Sequence, residues 1–305
     1  DSDKILFKKF TDQTGIKINV IKGSADQLIE RLISEGGNSP ADILFTVDAG
    51  RLHRAKVAGI LQPIESKILS ENIPPSMRDE DGYWFGLTVR ARVLVYSKKR
   101  VTPDQLSTYE DLANRKWRGK IAVRSSSNIY NQSLMASIIA SNGSRKALSW
   151  AKSIRKNMAR APRGSDRDQA RAVAAGLADV AIMNTYYLGI LANSPDAKDR
   201  EVFKKVSVFF PNQNDRGTHI NISGAGITKS SKNKKDAIKF LEFLSDSDSQ
   251  KTFGSVNYEY PIKIEANQSE LLNSWGPFKY DKLNLSVLGA NNAEAVKLFD
   301  KAGWE

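Results

Sequence analysis

Two apolar stretches, 84–96 and 219–228, lie far apart in the chain, and the first is long for one strand inside an ordinary domain. The first contains Leu87-Thr88-Val89-Arg90-Ala91-Arg92-Val93-Leu94-Val95-Tyr96, at a point where one lobe should already be complete. A strand that leaves a finished lobe and begins a second has this form. Elsewhere strand and helix patterns alternate, which predicts an α/β architecture with a largely parallel sheet. With 305 residues the chain exceeds one ordinary core and suits two. The expected division puts 1–95 and 222–265 in a first lobe, and 96–221 and 266–305 in a second, joined by the two crossing strands with a ligand cleft between them.

The local patterns fill in this frame. Residues 5–10 read as a first helix ending before Gly15, and 16–21 alternate apolar and polar as a half-buried strand. Ser24 predicts a helix cap, with Leu28, Ile29, Leu32 and Ile33 on one face and Gly36-Gly37 as the stop. A short strand over 41–46 leads to Asp48, a cap for the next helix. In the second series, 120–124 reads as a strand. Ser125-Ser126-Ser127-Asn128 reads as a turn before a helix that stops at Asn142-Gly143. Further helices begin at Ser144, Asp166 and Asp236. Gly224 and Gly226 in the second crossing strand predict close backbone approach.

The residue inventory narrows the chemistry. Hydrophobic residues make up 40% and charged residues 26%, the composition of a globular chain rather than a disordered one. No apolar run is long enough to span a bilayer. No signal peptide opens the chain, and Asp1-Ser2-Asp3-Lys4 reads as a processed or trimmed start. There is no cysteine, which excludes disulfides, thiolate catalysis and Cys-based metal sites. His53 and His219 are the two histidines, too few for a three-histidine zinc site. A metal site here must be built from oxygen. The net charge of +12 is dispersed, without the basic block interleaved with aromatics that a nucleic-acid surface would show. No Gly-x-Ser-x-Gly elbow, phosphate-binding loop or dinucleotide fingerprint occurs, so an enzyme is not expected.

Tyrosine remains. In Ala178-Asp179-Val180-Ala181-Ile182-Met183-Asn184-Thr185-Tyr186-Tyr187 a strand pattern runs into Asn-Thr, a helix-capping pair, and then into two phenols. Tyr130 lies near another predicted helix start. A phenol has a pKa of about 10, so it needs a helix N-terminus or a metal to become a phenolate at neutral pH. Phenolate is a hard anionic ligand suited to Fe3+. On spacing alone, packing of a Tyr-Tyr pair is the commoner explanation.

Gly164-Ser165-Asp166-Arg167-Asp168-Gln169, Arg171-Ala172-Val173-Ala174-Ala175-Gly176 and Asn184-Thr185-Tyr186-Tyr187-Leu188-Gly189 closely resemble the periplasmic ferric-iron-binding proteins, the substrate-binding components of iron ABC importers. Gly59-Ile60-Leu61-Gln62-Pro63, Trp117-Arg118-Gly119-Lys120, Gly217-Thr218-His219-Ile220-Asn221-Ile222-Ser223-Gly224-Ala225-Gly226 and Asn257-Tyr258-Glu259-Tyr260-Pro261 fit as well. The resemblance covers nearly the whole chain and is greatest to the cyanobacterial FutA-type branch.

The resemblance implies the two-lobed type II periplasmic substrate-binding fold. It also implies a ferric ion as cargo (Fe2+ is not excluded), and delivery to an ABC permease in the inner membrane. The family's adjacent ligand tyrosines fall on Tyr186 and Tyr187, and a third on Tyr130. A fourth family tyrosine, at the end of a first strand, would lie just ahead of Asp1. The chain is therefore expected to lack that strand and to bind iron weakly as given. A periplasmic monomer made from an exported precursor is expected, with no nucleic-acid partner. Arg90 on the first crossing strand either offsets phenolate charge or is structural near the hinge. The serine turn either caps its helix or holds a small anion. A polyamine or small organic anion in the same fold is the alternative cargo.

Overall fold

A computed structural model describes residues 2–267 and 269–305. Asp1, the first residue of the segment compared with the family's upstream tyrosine, lies outside the described residues. The α/β class is the one observed. Among the described residues the strands are β1 (Ile43–Val47), β2 (Phe85–Ser97), β3 (Ile121–Ala122), β4 (Val180–Asn184), β5 (Val206–Phe209), β6 (Ile220–Ile227) and β7 (Tyr260–Pro261).

Packing groups the chain into two units. The first comprises Asp1–Val89, Asn221–Leu272 and Asn284–Ala290, the second Arg90–Ile220, Asn273–Leu283 and Asn291–Glu305. Residues 90–95, drawn into the first lobe from the sequence, group with the second unit, because Arg92–Tyr96 pair with β4. Residues 266–272 and 284–290, drawn into the second lobe, group with the first unit. In the latter segment the Leu285 N–H donates to Ser76 O at 2.9 Å, and helix Ser286–Ala290 lies against helix Ala49–Val57.

In the first unit β1 runs antiparallel to β6, with Ile43 opposite Ile227 and Val47 opposite Ser223. The start of β2 pairs antiparallel with β7. The two glycines of β6 do what their spacing predicts. A Cβ on Gly224 would stand 2.5 Å from the Phe85 carbonyl oxygen, and one on Gly226 would stand 2.5 Å from that of Tyr83. Backbone cannot yield there as a flexible side chain would. Gly224→Ala is therefore expected to destabilise the first unit by about 1–3 kcal/mol. Urea unfolding checks this: the midpoint should fall, and an unchanged midpoint would refute the close approach.

Local signals place the helices well. Ser24 and Gln27 form a reciprocal capping box on helix Ala25–Glu35, which buries Ile29 and Leu32. Asp48 accepts from the Gly50 N–H at 2.8 Å to start helix Ala49–Val57. The strand expected over 16–21 is absent. Residues 15–24 carry no regular structure, and Val20 and Ile21 are 50% and 55% exposed. Alternation makes a strand only if a neighbour offers a ladder, and no described strand pairs with this segment.

The second unit has the strand order β5-β2-β4-β3. β1–β6, β2–β4, β2–β5 and β2–β7 are antiparallel, and parallel pairing is confined to β3 with β4 and the isolated bridges Ile121–Met158 and Thr218–Tyr280 among the pairings whose direction is described, so the expectation of a largely parallel sheet is corrected. Parallel neighbours need a crossover connection between them. β2 and β6 instead carry the chain from one unit to the other, and their neighbours arrive from the opposite direction. Every residue of β2 and β4 is buried. Helix Asn292–Ala302 packs on helices Ile129–Asn142 and Ser144–Asn157. Trp304 just beyond it donates its indole N–H to Arg124 O at 3.0 Å. This fixes the chain just ahead of the Ser125-Ser126-Ser127-Asn128 turn.

Candidate metal centre

The site belongs to the second unit and is assembled from three elements. β4 ends at Asn184, and one residue later helix Tyr186–Ala192 begins. Thr185 does not cap that helix with its side chain, contrary to the reading of Asn-Thr as a cap pair. β2 takes it instead: Thr185 Oγ1 accepts from the Ala91 N–H at 3.3 Å, and the Thr185 N–H donates to Ala91 O at 3.0 Å. The turn that carries the tyrosines is thus fastened to the neighbouring strand. The third element is helix Ile129–Asn142. Asn128 caps it, accepting from the Tyr130 N–H at 3.1 Å, so the serine turn does end in a cap.

These elements bring the three candidate phenols together. Tyr130 Oη lies 3.3 Å from Tyr186 Oη, and the rings of Tyr186 and Tyr187 pack at an interplanar angle of 32° with centroids 4.1 Å apart. All three side chains are half-buried. Arg90 is 1% exposed, and its guanidinium carbon sits 5.6 Å from the Tyr186 ring centre. The guanidinium carbons of Arg92 and Arg124 each lie 5.9 Å from the Tyr130 ring centre. Phenol hydroxyls and cationic groups therefore share one small volume.

The electrostatics depart from the expectation that a helix start would help ionise the phenols. Burial pushes the Tyr186 phenol well above its ordinary range, and the neighbouring Tyr130 adds to this while Arg90 opposes it. Burial raises Tyr187 as well, again reinforced by Tyr130, with Arg124 drawing it back. The seven-residue helix that begins at Tyr186 does not outweigh this. In the empty protein both phenols are held protonated, and a phenolate here requires a cation to replace the proton. Among the described residues no group of three His, Asp or Glu side chains is placed to hold a metal. Oxygen from tyrosine is the donor set the site offers.

Beneath the phenols lies a buried polar cluster. Arg92 Nη1 donates to Asp166 Oδ2 at 2.8 Å and to Asn184 Oδ1 at 3.1 Å, and Arg92 Nη2 donates to Asn131 Oδ1 at 2.6 Å. The Asn184 N–H also donates to Asp166 Oδ2 at 2.8 Å. Arg92 and Asp166 are 2% and 0% exposed.

Residues 38–282 match the family model described as bacterial extracellular solute-binding protein. The chain belongs to the bacterial extracellular solute-binding protein family. Iron uptake protein A1 of Synechocystis is 48% identical to this solute-binding protein over 305 residues, covering all of the chain and 85% of the relative. Solved structures of two relatives, among others, cover the whole chain. One, described as Trichodesmium IdiA (FutA) in complex with iron and citrate ligands, superposes with a TM-score of 0.98 at 52% identity, with 96% of that chain matched. The other is a ferric binding protein from Campylobacter jejuni, with a TM-score of 0.94 at 46% identity and 97% of that chain matched. The solute-binding fold expected from the motifs is the one these matches show.

In this solute-binding protein the expected Tyr130, Tyr186, Tyr187 and Arg90 lie together, and Arg92, which was not among the expected residues, lies with them. The signal was present: residues two apart on a strand share a face, so Arg92 follows Arg90 on the same side of β2. Tyr109 and His219 are both buried. The Tyr109 hydroxyl accepts from the His219 N–H at 3.1 Å and donates to Arg92 O. Burial lowers the His219 imidazole to about 3, so the residue is neutral.

Proposed function

We propose that the chain binds a ferric ion through the phenolate oxygens of Tyr130, Tyr186 and Tyr187 and delivers it to an ABC-type importer. The observation that carries this reading is the convergence of three phenol oxygens on one unit, where burial holds two of them protonated until a cation arrives. Ligation converts each phenol to a phenolate and releases its proton. Three phenolates balance a trivalent ion. Arg90 offsets charge when a further anionic ligand joins, or when the ion is reduced to Fe2+.

The chain acts as a carrier rather than as an enzyme, in keeping with the iron-uptake role named for its Synechocystis relative. It works outside the cytoplasm, in keeping with the family description, and does so as a monomer whose receiving partner is a membrane permease. A polyamine cargo fits less well, because arginines rather than carboxylates surround the phenols.

Titration of the metal-free protein with ferric nitrilotriacetate, followed by removal of unbound metal and iron analysis, tests the reading. The expected result is one iron per chain and a visible colour. A chain that stays colourless and iron-free, yet takes up spermidine or a dicarboxylate, would exchange this proposal for the alternative.

A further inference from the structure

We propose that Arg92 is the positioning residue of the ferric site: its guanidinium locks the turn bearing Tyr186 and Tyr187 to the helix start bearing Tyr130. The inference rests on the ferric reading above and deepens it. Sequence separates the ligands widely, with Tyr130 on one element and the tyrosine pair on another. Something must set the distance between them, because an ion of fixed radius tolerates little error in its ligand positions.

The two ends of the Arg92 guanidinium face the two elements. Nη1 reaches Asn184 Oδ1 at 3.1 Å, two residues before Tyr186, and Asp166 Oδ2 at 2.8 Å. The same Asp166 oxygen accepts from the Asn184 N–H at 2.8 Å, so the end of β4 is held by side chain and backbone together. Nη2 reaches Asn131 Oδ1 at 2.6 Å, the residue directly after Tyr130. Asn131 cannot turn away, since its amide donates to Arg124 O at 2.9 Å and to Ser125 O at 3.1 Å. Arg92 and Arg124 then flank the Tyr130 ring, each guanidinium carbon 5.9 Å from its centre. The planar fork of arginine bridges two elements that a single ammonium cannot span. A buried ion pair is a weak general stabiliser, because desolvation offsets most of its attraction. Its yield here is geometry: the spacing of phenol oxygens at which the metal is held.

Arg92→Lys is the test, read in the full chain by ferric titration against citrate, by the visible phenolate-to-iron band of the loaded protein, and by melting of the empty protein. The variant keeps the charge and loses the fork. Supporting residues of metal ligands typically contribute on the order of 10–100-fold in affinity. The expected result is a loss of at least about tenfold, with the band shifted or broadened and the empty protein still melting cooperatively. A purely structural role would lower the melting temperature while leaving the band of the loaded protein where it was, and that result overturns the inference. If Arg92→Lys does not fold, Asn131→Ala decides instead. It keeps the Arg92–Asp166 pair and cuts the link to the Tyr130 helix, together with the amide bonds to Arg124 O and Ser125 O, so it should move the band and weaken binding. Asn131→Ala with unchanged band and affinity also overturns the inference. A wild-type chain that shows no band on ferric addition overturns the ferric reading itself, and this inference falls with it; a band present in the wild type and identical in the variants defeats the positioning role alone.

Discussion

Replacing Tyr186 and Tyr187 together by phenylalanine is expected to abolish the visible iron band and to weaken ferric binding by more than about a thousandfold. The estimate follows from position. Loss of a group that merely supports a ligand typically costs about 10–100-fold, and here two ligands are lost outright. Phenylalanine retains the ring, so the ring pair with centroids 4.1 Å apart survives and only the two oxygens disappear. The empty variant should therefore unfold within about 1 kcal/mol of the parent chain. The parent should gain melting temperature when iron is added, as a chain does when a ligand binds only its folded form, and the variant should not. Tyr130→Phe removes one oxygen and should fall between the two. Isothermal competition against citrate, together with melting curves, checks all three statements. A double variant that still colours with iron would remove the tyrosine pair from the site.

The second large effect is on pH. Burial and the nearness of Tyr130 raise Tyr186 and Tyr187 above the ordinary phenol range, so at neutral pH the empty protein carries these protons and the loaded protein does not. The metal-bound state then holds fewer protons than the empty state. Raising the proton concentration must favour the empty state, and affinity falls as pH falls. Each phenol that gives up a proton contributes about one decade of affinity per pH unit. Tyr186 and Tyr187 together give about two decades per unit, a steep acid release. Measuring the apparent ferric constant between about pH 8 and pH 5, a span below the ordinary phenol pKa, with the protonation of the competitor corrected for, gives the slope. A slope near zero would mean that the ligands are already ionised in the empty protein, or are not phenols.

The parts of this molecule legible from sequence are those set by near neighbours. Ser24 with Gln27, Asp48 and Asn128 all cap helices because a cap is satisfied within three residues. The run ending at Asn184 read as a strand for the same reason, and all five of its residues are buried. Two errors share the opposite cause. Residues 16–21 have strand alternation but no partner, and the parallel sheet was inferred from alternation when direction depends on where β2 and β6 come from. Thr185 shows the conflict on one side chain. Local logic assigned it to the helix that follows, yet its hydroxyl is claimed by Ala91, remote in sequence. The same limit applied at the site. Cysteine absence and histidine scarcity left tyrosine as the plausible ligand type, and the motif singled out Tyr130, Tyr186 and Tyr187, which the fold brings together. That Tyr130 and Tyr186 stand 3.3 Å apart, and that Arg92 ties their supports together, required the fold. Period-two spacing from Arg90 would have pointed to Arg92, but not to Asp166 or Asn131, which reach it from separate helices.

The central claim is that tyrosine oxygen, and no other donor on this unit, holds the ion. Resonance Raman spectroscopy of the ferric complex, excited within its visible band, reads the ligand directly, because only ring vibrations of an iron-bound phenolate are enhanced there. Enhanced phenolate modes in the parent chain, lost in the Tyr186→Phe, Tyr187→Phe variant, are the expected result; an iron-loaded chain without those modes, or with the same modes in both proteins, would contradict the account.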